Sequence, residues 1–441
     1  MILDKTAARK LTDRVCKLAT AKDVVVGLAG GRTANTRFAN NEITSCGDVS
    51  NVRVSVAVAF GQKRGSTATN QLDDASLRAA VAEAEEMARL SPDDPEHMPP
   101  LPPQKIAEVK ARDPKMAAGA AFDAAANQKG VEACLGPSLE KKLVAAGFFE
   151  SADRFQAVAN SAGAFAYHAA TAASFSTTVR TADGTGSGWA EATSWKLGDV
   201  DAPAVARRAV EKSERSVQPR RLDPGRYTVV LEPEAVAGLV GMVRFGLRAR
   251  EADEGRSYLS KPGGGNRVGE KLFSDKVTIL SDPGDARIPG QPFDGEGLAL
   301  KPTTWIEKGV VKELIYGRYW AQKQGREPTG APANIIMLGG SATLQDMIKS
   351  TDKGILVTRF WYIRSVDPRT LLVTGITRDG TFWIEKGEVT HPVNNFRFND
   401  SPASLFANAE ALSAPVRTSS GLAVPAVKAH SFNMASISVA V

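Results

Sequence analysis

Histidine and cysteine are the scarcest side chains able to do chemistry in this 441-residue chain. There are four histidines (His97, His168, His391, His430) and three cysteines (Cys16, Cys46, Cys134). A zinc peptidase needs two neutral imidazoles on one helical face and a carboxylate to activate the metal-bound water. No HExxH or HExxxH occurs, and no two histidines lie close enough in sequence to share a helix. His97 sits among prolines, His168 ends a strand-like run, His391 precedes Pro392, and His430 lies near the carboxyl end. Structural or surface roles are the expectation for all four. The cysteines form no CxxC pair, cannot build a disulfide framework, and suit a reducing compartment. There is no GxSxG elbow.

Two further patterns invite a functional reading. Phe293-Asp-Gly-Glu-Gly297 places Asp294 and Glu296 two residues apart in a glycine-rich loop, which could hold a cation or an acid/base pair. The favoured alternative is an Asx-type turn, with Glu296 capping backbone donors. Pro262-Gly-Gly-Gly-Asn266 and Asp183-Gly-Thr-Gly-Ser-Gly188 resemble phosphate loops, but neither is followed by Lys-Ser/Thr or opens a helix, so both read as turns. No cofactor is expected.

Charge narrows the classes further. Lys and Arg number 55 against 49 Asp and Glu, a net +6, and the basic residues are dispersed. Arg244, Arg248, Arg250 and Arg256 cluster, but Glu251, Asp253 and Glu254 interleave with them, which reads as a solvated mixed face and argues against nucleic-acid binding. MILDKTAARK has charges where a secretory signal needs an apolar run, and no window is apolar enough to span a bilayer. A cytoplasmic protein without membrane contact is expected.

These residues must be positioned by an α+β fold. Residues 3–19 place Leu3, Ala7, Leu11, Val15 and Leu18 on one helical face. Strands follow at Val24–Leu28, Thr36–Phe38, Val52–Phe60 and Ser66–Thr69, with turns predicted at Gly30-Gly31, Asn40-Asn41, Gly47-Asp48 and Gly61. A helix capped by Asp73 or Asp74 closes this first helix–antiparallel meander–helix unit, residues 1–90. A proline-rich connector spans 91–114. A second helix–meander–helix unit spans 115–220. It opens with an Ala-rich helix over 115–134, continues with strands at Leu143–Phe149, Gln156–Asn160, Ala164–His168, Ser174–Arg180 and Gly186–Glu191, and ends in a helix from Asp201 with Pro203 in its first turn. Ala39-Asn40 and Ala159-Asn160 recur between the units; duplication accounts for this, and so does Asn at a positive-φ turn. Residues 221–441 form a mostly β carboxyl-terminal domain with a curved sheet or barrel. It has a strand at Arg226–Leu231, a helix over Glu234–Leu247, short helices near Thr343–Lys349 and Ser401–Ala411, and a last strand at Ile437–Val441.

An ordered series of motifs runs through this last domain: Tyr227-Thr-Val-Val-Leu-Glu-Pro233, Ser257-Tyr-Leu, Val268-Gly-Glu-Lys-Leu-Phe273, Phe293-Asp-Gly-Glu-Gly297, Pro328-Thr-Gly330, Gly354-Ile-Leu-Val-Thr358, Phe382-Trp-Ile-Glu-Lys-Gly387 and His391-Pro-Val393. The series resembles the TldD/TldE (PmbA) family, once called modulators of DNA gyrase. The resemblance implies a heterodimer that degrades unfolded peptides in a closed chamber. In it a TldD-type zinc metallopeptidase subunit carries HExxxH just after the opening strand, and a TldE-type subunit lacks the metal site. The matching positions here are Gly241, Met242 and Gly246, and no cysteine follows Cys134. The resemblance therefore implies a TldE-like, non-catalytic subunit with no metal, no cofactor and no catalytic residues of its own. Its implied partners are a TldD-type subunit, or a second copy in a homodimer, and an extended peptide. The chain departs from the TldE pattern at Gly375-Ile-Thr-Arg-Asp-Gly380 and at Phe398-Asn-Asp400. The alternatives are an autonomous hydrolase with a relocated site around Asp294, Glu296 or His391, and a homodimeric scaffold.

Overall fold

The computed structural model describes residues 2–119 and 124–438. The amino-terminal elements are α1 (Lys5–Leu18), β1 (Asp23–Ala39), β2 (Glu42–Phe60), β3 (Lys63–Thr69) and α2 (Asp74–Leu90). After the connector come α3 (Pro114–Ala117), α4 (Ala124–Glu140), β4 (Leu143–Asn160), β5 (Phe165–Thr181), β6 (Ser187–Ser194) and α5 (Ala202–Arg215). The predicted Ala-rich helix over 115–134 falls partly on residues 120–123, outside the described residues. Caps follow local chemistry: the side chains of Asp4, Asp73 and Asp201 each accept a hydrogen bond from a first-turn amide of α1, α2 and α5. In α1 the buried face is Ala8, Leu11, Thr12 and Val15, so Ala7 of the predicted stripe lies beside the core face.

The two units are built on one antiparallel sheet, in the order β3-β2-β1-β4-β5-β6. Its strands are longer than the predicted runs because Gly30-Gly31 is not a turn. A Cβ on Gly31 would sit 2.2 Å from the Asp153 carbonyl oxygen, and one on Gly30 would sit 2.8 Å from the Phe155 ring. These glycines let β4 approach β1 closely, and the strand runs on without a break. Gly47-Asp48 likewise lies within β2, opposite Asn35 and Ala34. The β1 strand then serves two cores. Val24, Val26 and Leu28 pack under α1 and α2, while Phe38 packs with Phe149 and Phe175 under α4 and α5.

The recurring Ala-Asn pairs behave differently. Asn40 and Asn41 adopt φ of 52° and 62° in the β1–β2 turn. Asn160 instead ends β4 and accepts from the amides of Ala162 and Ala164, leaving the positive φ to Gly163. The connector carries no helix or long strand. Asn160 donates to the Leu101 carbonyl, and Arg112 forms a two-pronged pair with the buried Asp153 at 2.9 and 2.6 Å.

The carboxyl-terminal domain contains β7 (Gly225–Leu231), α6 (Pro233–Phe245), α7 (Ala249–Asp253), β8 (Ile279–Ser281), β9 (Thr303–Glu307), β10 (Val310–Val311), α8 (Arg318–Lys323), β11 (Ile335–Met337) and α9 (Leu344–Lys349). It continues with β12 (Lys353–Asp367), β13 (Leu372–Glu385), β14 (Glu388–Pro392), β15 (Asn395–Asp400), α10 (Pro402–Ala407), β16 (Ala409–Leu412), β17 (Val416–Arg417), β18 (Leu422–Val424) and β19 (Val427–Ser438). The last three residues of the predicted closing strand lie outside the described residues. Strands β12-β7-β19-β15-β13 pair in that order, and β13 pairs back to β12, closing a five-stranded barrel. A smaller sheet, β10-β9-β8-β11-β18-β17, packs beside it. Between them α6 buries Ala235, Val236, Leu239, Val240 and Val243 in the largest core of the molecule. The fold is α+β, with a mostly β carboxyl-terminal domain.

Candidate functional site

Strand β7 delivers the chain into α6 through Pro233, whose missing amide proton suits the first helical position. The three positions that the resemblance matches to HExxxH differ in their surroundings. A Cβ on Gly241 would meet nothing within 4 Å. Met242 is partly buried against the core. Gly246 ends the helix, and a Cβ there would lie 2.3 Å from the Tyr258 ring, while Ser257 Oγ donates to the Gly246 carbonyl at 2.9 Å. The Ser257-Tyr258 pair therefore occupies the space a side chain would need at position 246. Two glycines and a thioether cannot supply a zinc ligand set with a general base, so these residues do not fit the metal. Among the described residues, no three His, Cys, Asp or Glu side chains converge in a way that could hold a metal ion.

The histidines lie on four separate elements. His97, on the connector, reaches Asp23 of β1 at 3.1 Å. His168 lies half-buried on β5, where burial lowers its pKa. His391 lies on β14 beside Thr390, with its pKa lowered by partial desolvation and by Arg220. His430, on β19, contacts Glu410 and Thr228. Asp294 forms the Asx turn: its Oδ1 accepts from the amides of Glu296 and Leu298 at 2.9 and 3.0 Å, and burial raises its pKa. Glu296 points elsewhere, to Arg318 at 2.6 Å. The structure does not bring His391 to this pair, since its charged neighbours are Arg220 and Glu385.

Two features were not visible in the sequence. The first is a cavity of about 590 Å³ between β1, the connector and the carboxyl-terminal domain. It is lined by Asp23, His97, Arg248, Arg250, Arg318 and Trp320, among others. Arg250 lies on the expected solvated mixed face, paired with Glu254 at 3.0 Å, and it also grips Glu96 of the connector at 2.8 and 2.9 Å and stacks on Trp320. A second cavity, of about 670 Å³, shares Met98 and Arg318 with the first. The other feature is a carboxyl pair at the start of α6. Glu234 faces Glu191 of β6, with Ser419 donating its amide to Glu191 at 2.6 Å and its hydroxyl to Glu234 at 3.4 Å. Burial first, and the Glu191 charge second, push the pKa of Glu234 up to about 9, so it is protonated at neutral pH. No local pattern could join residues 43 positions apart on different domains.

Three sequence models of the PmbA/TldA metallopeptidase match in chain order: domain 1 over residues 24–88, the central domain over 99–217 and the C-terminal domain over 224–436. The chain belongs to the PmbA/TldD/TldE family. TldE from Thermococcus kodakarensis superposes with a TM-score of 0.85 at 20% identity, over 97% of this chain and 99% of that one, and so shares the fold. A metalloprotease of Methanothermobacter thermautotrophicus is 26% identical over 240 residues, half of each chain. The metalloprotease PmbA of Escherichia coli O157:H7 is 22% identical over 233 residues, 51% of this chain and 50% of its own. The chain thus matches about half the length of these curated relatives. Among the described residues, no helix is long and apolar enough to cross a membrane.

Proposed function

We propose that this PmbA/TldD/TldE family member is a TldE-type, non-catalytic subunit that pairs with a TldD-type metallopeptidase subunit in the cytoplasm and helps hold unfolded or extended peptides. One observation carries the reading. Helix α6 keeps its place and its core packing, while the three positions matched to the metal site present Gly241, Met242 and Gly246, the last closed off by Tyr258. Three free cysteines agree with a reducing compartment. Strand β14 ends the barrel sheet, and such an edge offers main-chain groups to which an extended peptide can add.

Native co-purification with mass spectrometry, together with zinc analysis and a peptidase assay on the purified chain, tests this. The expected result is an HExxxH-bearing partner, sub-stoichiometric zinc in the isolated chain and cleavage only with the partner present. Stoichiometric zinc with robust cleavage by this chain alone would refute the proposal, and so would a self-sufficient homodimer with no such partner.

A further inference from the structure

The run Gly375–Gly380, where the chain departs from the TldE pattern, lies at the seam between the barrel and the amino-terminal sheet, and it is strained. Asp379 adopts a φ of 56° and Gly380 a φ of 121°, while across the strand pair Tyr362 adopts 57°. The β12–β13 register shifts both between Val357 and Arg359 and between Trp361 and Arg364. Bulges and left-handed non-glycine residues re-aim side chains and concentrate where a site is built.

Charge is unbalanced at the same place. Arg359 and Arg378 stand opposite each other on β12 and β13, and the charge of Arg180 reaches Arg378 from β5. The carboxylate between them, Asp379, is buried and already committed: it accepts from Arg359 Nε at 2.8 Å, from a second Arg359 nitrogen and from Ser187 Oγ at 2.6 Å. Glu191 and Glu234 are held by Ser419, and Glu234 feels the charge of Arg359. Arg378 is left with a 3.8 Å approach to Asp379, and its buried Nε has no hydrogen-bond partner. A buried guanidinium donor without a partner is rare in a folded protein and calls for a ligand or an ion.

Aromatic rings frame the two guanidinium groups. Arg359 stacks on Trp189 at 4.4 Å, and both Arg359 and Arg378 face Trp361 at 5.3 and 5.4 Å. Trp361 and its neighbour Tyr362 remain 47% and 63% exposed. A ligand suited to this arrangement carries a planar anion matched to the Arg378 fork and an apolar body that covers the rings.

We propose that Arg378 and Trp361 form a binding site for the terminal α-carboxylate of a peptide, with the last side chain lying over Trp361 and Tyr362. This rests on the peptide-holding role proposed above. Binding of an N-acetylated apolar tripeptide, as free acid and as carboxyl-terminal amide, to the purified full chain by calorimetry tests it, with inorganic phosphate as a third titrant. The expected result is that the free acid binds about tenfold more tightly than the amide. Arg378→Met should abolish that preference, and Trp361→Ala should weaken both peptides. Circular dichroism checks that each variant is folded; Arg378→Met removes no hydrogen bond made through Nε. Equal binding of acid and amide, or a preference that survives Arg378→Met, overturns the carboxylate site and leaves the peptide-holding role standing. Binding of neither peptide overturns both. Phosphate binding that depends on Arg378, without any acid-over-amide preference, overturns the assignment to a peptide terminus.

Discussion

Helix α6 and the β12–β13 seam lie in the same domain and are built on opposite terms. The body of the helix is apolar: Leu239, Val240 and Val243 fill the core, and the positions that the resemblance matches to HExxxH hold two glycines and a methionine. At the seam, residues are held at positive φ, a carboxylate is fully buried, and Thr358 Oγ1 and Arg378 Nε have no partner. A scaffold can lose its reactive groups without losing its packing, because the ligands of a metal site contribute little to a core. Strain and unpaired polar groups are costly to fold around. Unpaired polar groups occur at the seam and also at the first turn of α6, where Glu234 Oε2 lies buried without a hydrogen-bond partner.

The contrast yields graded expectations. The largest effect belongs to Arg359, whose loss leaves the buried Asp379 with only Ser187 and the 3.8 Å approach of Arg378. Arg359→Met should cost about 3–5 kcal/mol, read by urea unfolding, whereas Arg378→Met should stay within about 0.5 kcal/mol. Equal costs would erase the distinction between a structural and a free arginine. Next is Gly246→Ala, which drives a methyl group into the Tyr258 ring and should cost about 1–3 kcal/mol.

The carboxyl pair gives a pH signature. Glu234 has its pKa raised in the folded state, so folding holds a proton that the unfolded chain releases above its ordinary carboxyl range. Stability should therefore fall as pH rises from about 5 to 9 and level off beyond. Glu234→Gln keeps a donor toward Glu191 and cannot ionise. It should match the parent near pH 5 and exceed it by on the order of 2 kcal/mol at pH 8, as followed by thermal unfolding across that range. The smallest effect is at Gly241, where open space and a helical backbone mean that Gly241→Ala should stabilise by up to about 1 kcal/mol. Opposite signs at Gly241 and Gly246 would show that the space beside the first position is open and that beside the second is filled.

What the sequence made legible was local. The Asp73 and Asp201 caps, Pro203, the β7–α6 opening and the Thr343 start of α9 all rest on residues within one turn of each other. The Asx turn at Asp294 was readable for the same reason. Gly30-Gly31 misled because glycine serves both for turns and for close approach, and only the neighbouring β4 backbone decides between them. Strands β14 to β18 are short and carry little periodicity; the helix expected over Ser401–Ala411 stops at Ala407 and gives way to β16, and β19, expected only from Ile437, already starts at Val427. The Glu191–Glu234 pair, the Arg250–Glu96 grip and the Arg359–Asp379–Ser187 chain each join segments that only the fold brings together. The distribution of Arg residues along the chain contained no sign that Arg378 would be left over.

The long first strand has a consequence for how the molecule can be divided. From Val25 to Phe38, β1 is bonded to β2 on one side and to β4 on the other. A protease cut in the connector would therefore leave two fragments held together by a shared ladder, with the nicked protein keeping its shape. The amino-terminal piece made alone would instead display the β4-facing edge of β1 as a naked row of amides and carbonyls, ready to recruit any passing strand. What looks like a modular start to the chain is a single interlocked plate whose halves share one ladder.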